Sequence, residues 1–202
     1  MSRFAQIMQA WTETAPVIWD RTMMDPDHCL NGSRVTIDAL KHFGISAKPL
    51  SVFCEAYNAV WWEQMVKAGR HVTSIEESNG WAALGGHSIA IETTPNPSLG
   101  VGWPGHLVVI AGGKMLDAST EQFTREARKM IYPRVIVCEI EDGFMDGTPA
   151  LYEFPDGAKL SYKVRPNDKS YLDMSGFQRH KYNRATTGYL ITAMERHIRR
   201  KP

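Results

Sequence analysis

The sequence contains no apolar run that approaches the ~20 residues of a membrane-spanning helix. Its first residues, MSRFAQIMQAW, also lack the unbroken apolar stretch of a secretory signal. Neither a membrane protein nor a typical secreted protein fits these two absences. We therefore expect a cytoplasmic protein with no membrane partner.

Cysteine is scarce, because the chain has only Cys29, Cys54 and Cys138. Their number is odd and no two of them have C-x-x-C spacing, so we expect neither a disulfide framework nor a zinc knot. A mixed metal site would consist of His28, Cys29, His106 and Asp117, but no two of these residues have a recognised zinc-ligand spacing. We therefore predict free thiols, no metal and no cofactor.

The chain also lacks an excess of either charge, since 23 Lys and Arg residues face 22 Asp and Glu residues, for a net charge of +1. This balance gives no bulk attraction to nucleic acid. Hydrophobic residues make up 43% of the 202 residues and charged residues 22%, as in ordinary globular proteins. Function must therefore come from individual sites, and the sequence leaves the oligomeric state open.

Two helices are predicted at the start of the chain. Apolar residues at helical spacing indicate a helix over 1–22 that breaks at Pro16. Residues 27–44, DHCLNGSRVTIDALKHFG, predict an amphipathic helix. We expect Asp27 to cap its first turn and Gly44 to end it in a left-handed conformation.

A strand and a third helix follow, and then the least regular region. Residues 45–58 predict a strand, in which Pro49 indicates an edge or a bulge. Residues 59–69 return to helical spacing. Between 69 and 105 the chain is rich in Gly, Pro, Ser and Asn, with one strand expected in GGHSIAIETT.

The second half of the chain predicts a β-hairpin over 106–119, a short helix over 120–130, and strands in 134–142 and 150–164. A last amphipathic helix covers 181–200. Its apolar side is expected to carry Tyr189, Leu190, Ala193, Met194 and Ile198. One α+β domain over 1–202, with a helix cluster packed against an antiparallel sheet, accounts for this order.

Cys29 lies in the first turn of the helix predicted over 27–44. A thiolate is the nucleophilic form of cysteine, and the free N–H groups and dipole of a helix N-terminus stabilise an anion. The neighbouring Asp25 and Asp27 oppose that effect through their negative charge. An imidazolium partner is therefore needed to stabilise the thiolate.

Among the seven histidines, His106 is the best placed to be that partner, because it opens a strand directly after GVGWPG. A two-residue turn at Gly112 and Gly113 pairs residues whose numbers sum to 225. This register puts Asp117 on the same sheet face as His106, at a diagonal position within reach of an imidazole hydrogen bond. A three-residue turn would put Asp117 on the opposite face.

The helix of Cys29 is expected to let the sheet come close to the thiol. Its stripe runs through Gly32, Ser33, Thr36 and Leu40, with the small residues at the thiol end. Small residues permit a close approach of two backbones. The nucleophile and the histidine strand could therefore meet.

The two stretches DHCLNGSRVTIDALKHFGISAKPL and GHLVVIAGGKMLDASTEQF resemble the core of the papain-like cysteine peptidase superfamily. The similarity is greatest to the transglutaminase-like branch, in which Cys, His and Asp come in that order on a helix and two neighbouring strands. It covers residues 27–57 and 105–123. The resemblance implies a papain/transglutaminase-like fold, with the helix of the cysteine packed on an antiparallel sheet.

By this resemblance Cys29 would be the nucleophile, His106 the general base and acid, and Asp117 the residue that orients the imidazole. The expected reaction is acyl transfer through a Cys29 thioester, with hydrolysis of a peptide or isopeptide bond in a peptide or protein substrate as the default. The 69–105 insertion departs from the family. We also find no obvious upstream Gln for an oxyanion hole, so a second donor beside the Cys29 N–H stays unassigned.

Other interpretations remain open. Trp103, His28 and Asn31 are candidates for substrate binding, with Trp103 as a wall of the cleft and His28 as a solvated side chain near the cap. Asp117 could instead end a strand or cap a helix. Two other functions are an amine acyltransferase and a non-catalytic binding or inhibitory protein. Cys54 and Cys138 are expected to be structural, because they lie mid-strand among apolar residues.

Overall fold

The computed structural model describes residues 1–22, 28–91, 103, 105–178 and 181–200. This described part is mixed α+β, with helices packed on an antiparallel sheet. Its α-helices are α1 (Arg3–Arg21), α2 (Cys29–His42), α3 (Ala59–Ala68), α4 (Ile75–Ala83) and α5 (Lys181–Arg200). Its strands are β1 (Ala47–Tyr57), β2 (Ser88–Ile91), β3 (His106–Ala111), β4 (Lys114–Asp117), β5 (Ile136–Glu139), β6 (Ala150–Glu153) and β7 (Lys159–Val164).

The sheet has the strand order β5-β4-β3-β1-β7-β6, and β2 also pairs with β1. The first half of β1, Ala47–Val52, pairs with β3, whereas its second half, Val52–Tyr57, pairs with β7. Pro49 lies in the first half, where β7 has not yet joined, so its missing N–H faces no partner strand. Pro49 therefore lies at a local edge of the sheet, as predicted, although β1 as a whole is a central strand.

Two hydrophobic clusters cover the two faces of the sheet. One cluster joins α1, α2 and α5 to β3 and β4 through buried residues that include Trp11, Trp19, Leu40, Val109, Leu116, Leu190 and Met194. The other lies on the opposite face and includes Val52, Cys54, Val108, Met115, Phe123 and Tyr162. Successive strand residues alternate between these clusters, as the pleat requires. His106 is two residues before Val108 and therefore shares its face.

The hairpin was predicted correctly. Ala111 pairs with Lys114 and Val109 with Leu116, so the paired numbers sum to 225. Gly112 has a φ of 56° and Gly113 a φ of 78°, the left-handed conformation that a two-residue turn needs. The helix over 59–68, the strand within 85–94 and the strands β5 to β7 are also present, with small differences at their ends.

The predicted helix break at Pro16 is wrong, because α1 continues through this residue to Arg21. A proline inside a helix removes one backbone hydrogen bond and crowds the preceding turn. The helix persists because residues on both sides of the proline are buried in the core, namely Trp11, Ala15, Ile18 and Trp19. Burial of apolar surface outweighs the local cost of the proline.

Two further predictions are wrong, and one helix was not predicted. Residues 120–130 do not form one helix but two short 3₁₀ helices, Thr120–Phe123 and Glu126–Arg128. Helix α4 was not predicted, because its window combines few apolar residues with an internal glycine. Tyr189 is 61% exposed and does not belong to the buried side of α5. Among the described residues, no helix is long and apolar enough to cross a membrane.

Candidate active site

Helix α2 begins at Cys29, with His28 as the preceding cap residue, whose side chain makes no capping hydrogen bond. The predicted cap, Asp27, lies outside the described residues, as does Asp25. As the first helical residue, Cys29 has a backbone N–H without an acceptor inside the helix. The positive end of the helix dipole also lies at this residue.

The small residues of α2 allow the close approach that the sequence predicted. Gly32, Ser33, Thr36 and Leu40 are all buried. A Cβ added to Gly32 would lie 2.8 Å from the Ala118 Cβ and 2.8 Å from the His28 ring, so only glycine fits here. The Ser33 hydroxyl donates a hydrogen bond of 3.0 Å to the Leu107 carbonyl on β3. Helix α2 is thereby fixed directly against the strand that carries His106.

His106 and Asp117 form a hydrogen-bonded pair across the hairpin. His106 Nε2 lies 2.6 Å from Asp117 Oδ2, and both side chains are fully buried. The other carboxylate oxygen accepts a hydrogen bond of 2.9 Å from the Ser119 backbone N–H. Asp117 therefore does more than end β4, because its carboxylate fixes the imidazole from behind.

Tyr162 is a further partner of Asp117 that the sequence did not indicate. Its hydroxyl donates a hydrogen bond of 2.8 Å to Asp117 Oδ2, the oxygen that also binds His106. Tyr162 is fully buried on β7, and its pKa is raised well above the ordinary value by burial and by the nearby Asp117 charge. It stays a neutral donor and stabilises the ionised carboxylate. The alternation of β7 marks Tyr162 as inward-facing but does not show which residue it meets.

Cys29 and His106 meet at the start of β3. The Cys29 sulfur lies 3.9 Å from the Gly105 carbonyl oxygen, and it is near enough to the His106 imidazole to help raise the pKa of that ring. Asp117 binds Nε2 of this ring, so a contact with the sulfur would have to use Nδ1, which the Gln122 amide nitrogen also approaches at 3.0 Å. The structure thus brings together the three residues that the sequence selected for catalysis, in the order sulfur, imidazole, carboxylate.

The electrostatics of this group favour a charged imidazolium. Burial alone would lower the pKa of His106, but the charge and hydrogen bond of Asp117, with the Cys29 sulfur, raise it to about 10. Burial would likewise raise the pKa of Asp117, yet His106, Ser119 and Tyr162 lower it. The arrangement therefore holds a proton on the imidazole and a negative charge on the carboxylate at neutral pH.

This charged pair makes a prediction for the pH dependence of folding. His106 keeps its proton in the folded protein up to a pKa of about 10, compared with an ordinary value of 6.5. The stabilisation is therefore complete below pH 6.5 and is lost as the pH rises through the folded pKa. We expect the free energy of unfolding, measured by urea denaturation, to fall by roughly 2–5 kcal/mol across this interval.

A matched pair of variants separates His106 from other groups that titrate in the same range. His106→Gln should show a clearly smaller decrease over the interval, whereas His71→Gln, at an exposed position, should keep the wild-type decrease. Equal decreases in the wild-type protein and in His106→Gln would contradict the assigned charge state.

Gln122 is a second site residue that the sequence analysis missed. Its Nε2 lies 3.0 Å from His106 Nδ1 and 3.1 Å from the Ser119 Oγ. The contact arises because the segment after β4 turns as a 3₁₀ helix, Thr120–Phe123, and brings Gln122 back over the imidazole. In the sequence, the only indication of this contact is that Gln122 follows Ser119 by three residues.

An aromatic wall lies beside Cys29. Cys29 shares a buried cluster with Leu107, Tyr171 and Phe177, and Trp103 packs against this cluster. The Trp103 ring meets that of Tyr171 edge-on at 6.1 Å, and its indole N–H donates a hydrogen bond of 2.8 Å to the Ser170 Oγ. Trp103 is therefore held beside the cluster that contains Cys29, and its role as a wall of a substrate cleft stays a prediction.

The other two substrate-binding candidates lie on either side of Cys29 in the chain. His28 is not solvated as expected, because it is only 6% exposed and its ring packs edge-on against Trp19 at 5.7 Å. The space left by Gly32 accommodates this ring. Asn31 is half-buried near Gly176, and its Oδ1 is buried without a hydrogen-bond partner. A role of either residue in binding substrate stays a prediction.

The remaining thiols differ from Cys29 in their surroundings. Cys54 is fully buried, and burial with the nearby Asp117 charge raises its pKa well above the ordinary value. Burial and Asp117 also raise the pKa of Cys138 to about 12. All three cysteines are free, as predicted. The described residues contain no group of three or more His, Cys, Asp or Glu side chains that could hold a metal ion.

Comparisons with models of protein families, with curated proteins and with solved structures find no match to this chain. The resemblance to the papain-like superfamily therefore stays a proposal. Its support is the geometry of the site and the residues that form it.

Proposed function

We propose that the protein is a cysteine-dependent acyl-transfer enzyme, most simply a thiol peptidase or amidase. The observation that carries this proposal is the buried His106–Asp117 pair, with 2.6 Å between Nε2 and Oδ2, and the Cys29 sulfur near its imidazole. A structural cysteine needs no such pair. A helix N-terminus and an imidazole beside one sulfur are the surroundings in which cysteine serves as a catalytic nucleophile.

In the proposed reaction the Cys29 sulfur attacks the carbonyl carbon of an amide or ester, and the carbonyl electron pair moves onto its oxygen. When this electron pair re-forms the carbonyl bond, the bond to the leaving amine or alkoxide breaks, and the His106 imidazolium donates a proton to the leaving group. Water then attacks the Cys29 thioester while His106 takes a proton from it. The bond between the Cys29 sulfur and the substrate carbon then breaks, which releases the carboxylic acid and restores the thiolate and the imidazolium.

The fold that we propose is the papain/transglutaminase-like core, in its transglutaminase-like branch. Support comes from the cysteine at the start of α2, from the packing of α2 on β3, and from a hairpin that carries His106 and Asp117 in that order. By this resemblance the substrate is a peptide or protein and the compartment is the cytoplasm. The aromatic wall of Trp103, Tyr171 and Phe177 supports a substrate that has an apolar group next to the reacting carbonyl.

A thiol-labelling and acylation experiment tests the proposal. With p-nitrophenyl acetate at pH 7, we expect a burst of one nitrophenol per chain and an acetyl group on Cys29 detected by mass spectrometry. Iodoacetamide should alkylate Cys29 first, because their raised pKa values keep Cys54 and Cys138 in the unreactive thiol form. Hydroxylamine should accelerate turnover only if the acyl group passes readily to amines.

Cys54→Ala is the matched control, since it removes a thiol on β1, in the sheet that carries His106, and this thiol takes no part in the proposed chemistry. This variant should keep both the burst and the rapid alkylation. Alkylation of Cys29 no faster than that of an ordinary free thiol, with no burst, would remove the support for an enzyme.

A further inference from the structure

A groove with a volume of about 370 Å³ lies between α3 and the part of the sheet formed by β1, β6 and β7. Its floor carries Phe53, Glu55 and Tyr57, which alternate along β1 and therefore share one face of the sheet. Trp62 and Met65 on α3 form one of its sides. This half of β1 pairs with β7, whereas the other half pairs with β3, so the groove is separate from the proposed active site.

The aromatic side of the groove is fixed by contacts within the protein. The Trp62 ring meets the Tyr57 ring at 5.9 Å with a tilt of 49°, and Tyr57 is only 1% exposed. The Lys159 Nζ lies 5.4 Å from the centre of the Trp62 ring, and its charge is paired with Glu153 at 2.7 Å. The indole is therefore preorganised, and an apolar group can pack against it with little loss of side-chain freedom.

Two opposite charges in the groove have no ion-pair partner among the described residues, namely Glu55 and Lys163. In the ladder of β1 and β7, Glu55 pairs with Ser161 and Phe53 pairs with Lys163, so the two charged residues are diagonal neighbours on one face. Their backbones are roughly 7–8 Å apart. Burial, and next the Glu55 charge, raise the pKa of Tyr57 above its ordinary value, so this neighbour of the carboxylate stays neutral.

This charge pattern determines which ligand chemistry fits. A carboxylate forms strong hydrogen bonds with an ammonium group, and a lysine ammonium forms them with a carboxylate. An α-amino acid carries both groups on one carbon atom, closer together than the two protein residues, so it can lie between them. A polyanion would place negative charge at Glu55, and a polyamine would place positive charge at Lys163. The aromatic side of the groove adds a preference for an aromatic side chain.

We propose that the groove binds a free α-amino acid with an aromatic side chain. Its ammonium group binds Glu55, its carboxylate binds Lys163, and its ring packs against Trp62. This site goes beyond the proposed acyl transfer and does not depend on it, because none of these residues belongs to the group around Cys29.

Titrations of the wild-type protein with four small molecules test which groups are recognised. The probes are L-phenylalanine, phenethylamine, hydrocinnamate and glycine, and binding is followed by the NMR signal of the Trp62 indole N–H. Trp62→Phe assigns this signal. We expect L-phenylalanine to bind with a dissociation constant of about 1 mM or lower. Each other probe lacks one of the three recognised groups and should bind at least about tenfold more weakly.

Two variants assign the two charges separately. Glu55→Gln should weaken the binding of L-phenylalanine about tenfold and should not weaken that of hydrocinnamate, which has no ammonium group. Lys163→Gln should weaken L-phenylalanine by a similar factor and should not weaken phenethylamine, which has no carboxylate. Glu63→Gln, at an exposed glutamate on α3 that does not line the groove, should bind all four probes like the wild-type protein.

Two results would overturn the proposal. One is an unchanged Trp62 signal in the wild-type protein with L-phenylalanine at about 10 mM, ten times the expected dissociation constant. The other is binding of L-phenylalanine by Glu55→Gln that equals binding by the wild-type protein. Neither result bears on the reactions of Cys29, so a failure here is distinct from a failure of the acyl-transfer function.

Discussion

Cys29→Ala should lose acyl transfer by about five or more orders of magnitude while it keeps the wild-type fold. The magnitude is that of removing the nucleophile from a catalytic group that acts as a unit. The sulfur is only 6% exposed and packs with Leu107, Tyr171 and Phe177, so its removal leaves a small space in one cluster and no unpaired charge on the helix. Ester turnover and urea denaturation, measured on the same preparation, check both parts.

The same variant separates the proposed enzyme from a binding or inhibitory protein with this fold. An enzyme loses its biological activity with Cys29, whereas a binding protein keeps it. The low exposure of the sulfur is the feature that agrees with a binding role. Cys138→Ala, which removes a half-buried thiol on β5, should change neither activity nor binding. A Cys29→Ala variant with more than about one hundredth of the wild-type turnover would be incompatible with a nucleophilic sulfur.

Asp117→Asn should lower the turnover number about 10⁴-fold, because the imidazole would adopt the wrong tautomer. In the wild-type protein His106 donates from Nε2 to Asp117, so the proposed proton exchange with Cys29 would use Nδ1. An amide that keeps its oxygen on the Ser119 N–H must present its NH₂ group to His106. Nε2 then accepts, Nδ1 carries the proton of a neutral ring, and the ring no longer takes a proton from Cys29.

The stability of Asp117→Asn should fall as well, by about 3–5 kcal/mol at neutral pH, since one partner of a buried ion pair is removed. The Tyr162 hydroxyl also loses its charged acceptor. Chemical denaturation measures this loss, and alkylation of Cys29 by iodoacetamide should slow in parallel with turnover. Asp146→Asn, at an exposed aspartate, is the matched control and should match the wild-type protein. Unchanged turnover in Asp117→Asn would refute the orienting role of the carboxylate.

The parts of the site that the sequence predicted depend on short-range rules. Two adjacent glycines determine the hairpin register, and this register places His106 and Asp117 on one face. The stripe of small residues on α2 determines how closely the helix approaches β3. Both arguments need only residues within one element or one turn, where periodicity and turn chemistry act directly.

The parts that were missed depend on long-range pairing or on competition between effects. Tyr162 reaches Asp117 because β7 pairs with the second half of β1, which no local pattern in either strand indicates. Gln122 reaches the imidazole because the chain after β4 forms a 3₁₀ turn instead of the expected longer helix. Pro16 stays inside α1 because burial on both sides outweighs a local helix breaker.

The position of Tyr162 on β7 has a consequence for the newly synthesised chain. Cys29, His106 and Asp117 are all translated before β7, but the carboxylate acquires its hydroxyl partner only when β7 pairs with β1. Before β7 pairs with β1, the Asp117 carboxylate lacks this hydroxyl donor. The group of hydrogen bonds around Asp117 is therefore complete only after β7, the last of the described strands in chain order, has paired with β1.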